Sequence, residues 1–204
     1  MNIADIRSLK WVDYIYYTIL DPRMLARLIL QSENQFLPVT FAIPVLLAAS
    51  EIISISLLRK QTGFFLYKIS YGWILLSLMI IISVFIAVWL VETALQLSNR
   101  GGKIKAEITL VNLACFPMIF ILPSIVIFSV LNFAPVFFYF LFLVLYFIWS
   151  CIIIVLGISE IHGLSTGRTS AVCVIPAAAS AVIMFLLSVL VVALIFGLLK
   201  YIFI

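Results

Sequence analysis

Glu92, Glu107, Glu160 and His162 are the residues of this sequence best suited to chemistry. Carboxylate and imidazole are ligands for borderline divalent cations, and either can hold a proton. Glu160 and His162 form a Glu-x-His pair, a spacing that lets a helix end present two ligands together. The sharpest reading is a divalent-metal or proton site built from Glu92, Glu160 and His162, with Glu107 opening a helix on the same side. A plainer reading is structural: Glu160 and His162 cap or bridge helix ends and bind backbone or Arg168. Another acid, Glu51, lies in a different apolar run and is not expected to join them. Ser165, Thr166 and Arg168, just beyond His162, are candidates for contact with a lipid headgroup.

The elements that must position these groups are membrane spans. Hydrophobic residues make up 66% of the chain and charged residues 10%, against roughly a quarter charged in a soluble domain. A water-soluble fold of this size could not hide so much apolar surface. A spanning helix needs about 20 apolar residues, and five runs qualify, at about 37–58, 72–97, 108–131, 135–158 and 171–199. The expected fold is an all-α membrane protein, a five-transmembrane-helix bundle (residues 36–204) preceded by an N-terminal cytosolic or interfacial segment (1–35). Asn132, Phe133 and Ala134 join the third and fourth runs, a link so short that it imposes an antiparallel hairpin. A charge at the bilayer centre costs about 2.5–3.5 kcal/mol even on the lenient insertion scale. Glu51 and Glu92 must therefore face the bundle, find partners, be protonated or snorkel.

Before the first run, Trp11, Tyr14, Tyr16 and Tyr17 suit an interfacial position. Asp21-Pro22 reads as an N-cap followed by proline in the first turn. After it Met24, Leu25, Leu28 and Ile29 recur at helical spacing, with Arg23 and Arg27 on a neighbouring strip. This predicts a short amphipathic helix over about 22–32, lying on the membrane surface through Arg23, Leu25, Arg27 and Leu28, packed on the protein's own spans, or both. Pro38 and Pro135 should open helices, whereas Pro44, Pro117, Pro123 and Pro176 should kink them, each freeing the carbonyl four residues earlier. A freed carbonyl in lipid needs a partner.

Of the 12 lysines and arginines, eight (Arg7, Lys10, Arg23, Arg27, Arg100, Lys103, Lys105 and Arg168) fall on one side of a five-span arrangement. Arg59, Lys60, Lys68 and Lys200 fall on the other. The excess puts the N-terminus in the cytosol and the C-terminus outside. No cleavable signal peptide is expected, since the first apolar run begins only near Phe36. The net charge of +4 suits loops that meet anionic headgroups and calls for no nucleic acid. Cys115, Cys151 and Cys173 lie in or beside apolar runs, without metal-ligand spacing, and read as small buried hydrophobes. No nucleophilic triad or redox centre is visible, and Gly101-Gly102-Lys103 lacks the longer frame of a phosphate-binding loop. An enzyme is not expected.

Gly101-Gly102-Lys103 followed by the run containing Pro117, and the loop from Gly157 to Arg168 followed by Pro176, resemble the Yip1-domain family of five-span membrane proteins. Asp21-Pro22-Arg23 resembles the family's entry to its domain. The resemblance covers the chain from about Leu20 onward. It implies an inner-facing N-terminus, five helices and a short outer-facing C-terminus. The family's eukaryotic members act in early secretory traffic and bind prenylated small GTPases and one another. The short N-terminal segment aligns this chain with the compact bacterial branch instead, so the expected site is a bacterial inner membrane and a GTPase is not an expected partner.

Two functions remain in view. One is a non-enzymatic scaffold that organises the bilayer or recruits partners, its contacts being lipid, further copies of itself or other membrane proteins. The other is a small ion, metal or lipid transporter using Glu51, Glu92, Glu160 and His162. No cofactor is implied beyond a divalent metal.

Overall fold

The computed structural model describes residues 10–31, 37–62, 69–97, 99–180, 182–183 and 186. All regular structure among them is helical. In chain order the helices are α1 (Lys10–Leu20), α2 (Pro22–Gln31), α3 (Leu37–Thr40), α4 (Ala42–Thr62), α5 (Ile69–Gln96), α6 (Ile104–Ala114), a 3-10 turn (Phe116–Phe120), α7 (Ile121–Val130) and α8 (Pro135–His162). A further helix, α9, covers residues 166–180.

Three stretches are long and apolar enough to cross a membrane: Leu76–Gln96, Ile104–Val130 and Pro135–His162. Less than a third of each is buried within the protein. The outward surface is hydrocarbon-like, with Phe137, Phe140, Val144, Phe147 and Ile152 exposed along α8. In water such a surface would be an aggregation hazard, and in lipid it is the required one. The first expected span is a shorter apolar helix, Ala42–Leu58, because a turn at Phe41 separates it from α3. Most of the fifth run, 171–199, lies outside the described residues. What is observed is thus a multi-pass helical bundle with three long spans and one shorter apolar helix.

Two of the expected proline effects are realised together in the third span. Pro117 falls in the 3-10 turn, and the span is divided there into α6 and α7. Pro123 cannot donate to the carbonyl of Ile119 four residues back. Ser50 Oγ of α4 donates to that carbonyl instead, at 3.0 Å. The freed acceptor becomes an interhelical bond, which is how lipid-embedded chains tolerate proline. Pro44 stands in the first turn of α4, and the first run is interrupted at Phe41, next to the Thr40 carbonyl that Pro44 leaves without an amide partner. Pro135 opens α8 as expected, after Ala134 in a left-handed conformation. The hairpin between α7 and α8 is closed by Phe128 and Phe138, stacked with ring centroids 3.8 Å apart.

Asp21 Oδ1 accepts from the Met24 amide at 3.1 Å, capping α2 as the Asp-Pro pair predicts. Leu25, Ala26 and Ile29 are buried at 0–1% exposure, in one core with Val91, Leu95, Leu110, Ile158 and Ile161. The apolar stripe of α2 is therefore turned onto the spans. Leu25 has no surface left for lipid and Leu28 is only partly exposed, while Arg23 and Arg27 point outward. Helix α1 is not anticipated by the sequence reading, because its aromatic and β-branched residues have modest helix propensity. It is held by packing: Tyr14 is buried and its hydroxyl donates to the Leu28 carbonyl of α2 at 3.3 Å.

A buried Glu-His junction as the candidate functional site

The end of the bundle covered by α2 is where the polar side chains collect. Helix α8 runs one turn further than its apolar stretch suggests and ends at Gly163, whose φ of 62° is left-handed. The amides of Gly163 and Leu164 both donate to the Ser159 carbonyl, the terminator that glycine makes easy. That ending puts Glu160 and His162 on the last turn of a helix. The carbonyls left over are taken by two cations. Arg100 Nη1 donates to His162 O and Gly163 O, both at 3.1 Å, and Lys103 Nζ donates to Ile161 O at 2.6 Å. Both charges sit at the negative end of the helix dipole, where cations are favoured.

Arg100 and Lys103 reach α8 because of the link between α5 and α6. Beyond the end of α5 at Gln96, Asn99 has φ 55°, and the Arg100 amide bonds back to Leu95 O at 3.0 Å. Gly101 and Gly102 follow. A Cβ on Gly101 would stand 2.7 Å from Glu92 Oε1 and 2.3 Å from Gln96 Cγ. Gly102 has φ 101°, open to glycine and strained for other residues. The glycine pair thus lays backbone directly over Glu92, and the Gly102 amide donates to Glu92 Oε1. Gln96 Nε2 donates to the same oxygen at 3.0 Å.

Glu107, in the first turn of α6, is fully buried. His162 Nε2 lies 2.7 Å from Glu107 Oε1, and its Nδ1 lies 2.6 Å from the carbonyl oxygen of Arg100. A carbonyl only accepts, so Nδ1 carries a proton and fixes the ring. The 2.7 Å contact requires a second proton between Nε2 and Glu107. The pair is then either imidazolium with carboxylate or imidazole with carboxylic acid, and its net charge is zero in both. Glu92, Glu107 and His162 each offer one ligand atom within 4.8 Å of the others, and all three residues are buried. Glu92 Oε2 and Glu107 Oε2 are buried, and no N–H or hydroxyl donor reaches them among the described residues; the two carboxyl groups lie against one another.

Of the expected site residues, Glu92, Glu107 and His162 come together. Glu160 does not join them. It faces outward from the same turn and pairs with Arg27 Nε of α2 at 2.7 Å, not with Arg168. The hydrogen bond to Glu160, with its opposite charge, holds the Arg27 guanidinium above its ordinary pKa. Glu51 is separate: it accepts from Tyr139 OH of α8 at 2.8 Å. Ser165 and Arg168 are exposed at the start of α9 and Thr166 is partly so, with the Ser165 carbonyl accepting from the Thr169 amide at 3.0 Å. The roles of Arg100, Lys103 and Gln96, and of Arg27 as the partner of Glu160, escape the sequence reading. Gly101-Gly102 was the available signal, a turn between two helices rather than a failed phosphate loop.

A helical chain with lipid-compatible outer surfaces and a buried cluster of Glu92, Glu107 and His162 between its helices is a multi-pass integral membrane protein. Within that class it belongs to the Yip1 family, whose domain matches residues 16–190, most of the chain. No curated protein and no solved structure matches it. Yip1 proteins are generally non-enzymatic membrane proteins.

Proposed function

We propose that the protein is a membrane-organising scaffold that works by self-association or by recruiting other membrane proteins. The observation that carries this reading is the docking of α2. Its apolar face is sealed against α6 and α8, and Arg27 is tied to Glu160 at 2.7 Å. The amphipathic helix is thereby a fixed part of the bundle rather than a free anchor. Its outer side, with α1, presents Tyr16, Leu20, Arg23 and Leu30 as a mixed apolar and basic surface. Such a rim, held rigid, suits contact with another protein at the bilayer surface. In this reading the N-terminus and the Glu-His junction face the cytosol of a bacterial inner membrane.

The transport reading has less support. Glu51 and the Glu-His junction are engaged with different partners. The cavity of about 160 Å³ beside Glu107 is otherwise lined by apolar groups and cysteines, among them Val88, Val91, Ile154 and Val174. An ion would find no continuous polar path there among the described residues.

Fluorescence energy transfer between labelled copies in liposomes tests the scaffold reading. Transfer above the level of random proximity in the wild type, and its loss in Arg23→Glu/Leu30→Glu, is the expected result. Monomers in the wild type, together with ion flux that Glu92→Gln abolishes, would replace the scaffold with a transporter.

A further inference from the structure

We propose that Glu92, Glu107 and His162 form a binding site for one borderline divalent transition cation, of the Zn²⁺ class, which locks α5, α6 and α8 together. This goes beyond the scaffold reading and does not depend on it.

The donor set is two carboxylates and one imidazole. Imidazole selects against Ca²⁺ and Mg²⁺, which take oxygen, and the absence of thiolate from the three selects against the softest metals. Three protein ligands with a remaining position for water is a familiar zinc arrangement. Ligand bonds of about 2.0–2.2 Å put neighbouring donors roughly 3–4 Å apart, so the donors, now within 4.8 Å of one another and with Nε2 and Glu107 Oε1 at 2.7 Å, need to shift by only about an ångström.

Two further observations point to a ligand here rather than to a mere cluster of acids. Glu92 and Glu107 each bury an Oε2 that no N–H or hydroxyl group among the described residues reaches; the two carboxyl groups lie against one another, and close buried carboxyls need a proton or a cation between them. The imidazole is also already held as a metal ligand is: Nδ1–H is fixed by the Arg100 carbonyl at 2.6 Å, leaving Nε2 facing the carboxylates. A hydrogen bond on the far ring nitrogen is what orients metal-bound histidine elsewhere.

Charge favours the same occupant. Two carboxylates and a neutral imidazole sum to −2, and a divalent cation makes the site neutral in a low-dielectric interior. The cation takes the place of the proton now shared between Nε2 and Glu107. The nearby positive groups, Arg100 and Lys103, are directed at the α8 carbonyls, and the negative end of that helix adds its own attraction for a cation. The apolar lining of the neighbouring cavity offers the ion no onward route, which makes the bound cation structural rather than a passenger.

The test uses the full chain, tag removed, in lipid nanodiscs. After loading with Zn²⁺ and exhaustive dialysis, elemental analysis is expected to find one zinc per chain. Titration with Zn²⁺ should show binding about 10–100-fold weaker, or lost, in Glu107→Gln and Glu92→Gln. Glu51→Gln and Glu160→Gln, outside the site, should bind as wild type, and Ca²⁺ should not compete. Zinc X-ray absorption of the wild type needs no variant: it should show nitrogen and oxygen neighbours at about 2.0–2.2 Å. No retained zinc, sulfur neighbours from Cys115, Cys151 or Cys173, displacement by Ca²⁺, or binding unchanged in Glu92→Gln and Glu107→Gln would each overturn the site.

Discussion

Glu51 and Glu107 are the same residue type placed in two apolar helices, and the bundle treats them differently. Glu51 is partly exposed, and among the described residues its side-chain partner is the hydroxyl of Tyr139. Glu107 is fully buried and belongs to a network of His162, the Arg100 backbone, Glu92, Gln96 and Gly102. The first is a pair across two helices. The second joins the ends of α5, α6 and α8 and the link between two of them. The difference teaches that an acid in a span is not by itself a sign of function. What distinguishes the second is polar groups brought from several elements to one point, with acceptor oxygens still to satisfy.

The comparison can be broken at its strongest point first. His162→Leu removes the imidazole partner of Glu107 and strands a buried acid. It should cost about 3–5 kcal/mol, the scale for losing one member of a buried pair, measured by denaturant unfolding in mild detergent. Glu107→Leu/His162→Leu should recover part of that loss, and a double variant no better than His162→Leu alone would show that the pair is not the coupled unit. Gly102→Val forces a branched residue into φ 101°, and should cost about 1–3 kcal/mol in the same assay. Tyr139→Phe, at the simpler site, should cost only about 1 kcal/mol. If it matches His162→Leu, the contrast between the two acids disappears. Arg27→Ala should change least, because that guanidinium is exposed and its pair with Glu160 is screened by water. Its effect should fade further in high salt, seen as thermal midpoints that converge with the wild type.

Much of this was readable from residue order. The three long spans followed from hydrophobic run length, the cap of α2 from Asp21-Pro22, and the α7–α8 hairpin from a three-residue link. Glu92, Glu107 and His162 were drawn together because apolar run lengths place them at the same side of the bundle. The position of Glu160 was not readable. It sits two residues from His162, and on a helix two residues apart point to different faces, so once α8 ran on to His162 one had to face in and the other out. The partner of each was fixed by tertiary contacts, Arg27 for Glu160 and the Arg100 carbonyl for His162, which local pattern does not encode. The break in the third span was foreseen at Pro117, but its remedy, Ser50 on another helix, was not.

The inward placement of Leu25, Ala26 and Ile29 has a consequence for how the protein meets a leaflet. An amphipathic helix that wedges leucines between acyl chains responds to curvature and to gaps among headgroups. Here those side chains are withdrawn, and the surface that α2 offers mixes the guanidinium groups of Arg23 and Arg27 with Leu30. Its attraction to a membrane is then coulombic, reaching about 8–10 Å at physiological ionic strength. The expected outcome is that binding to liposomes changes more with anionic lipid content than with vesicle diameter.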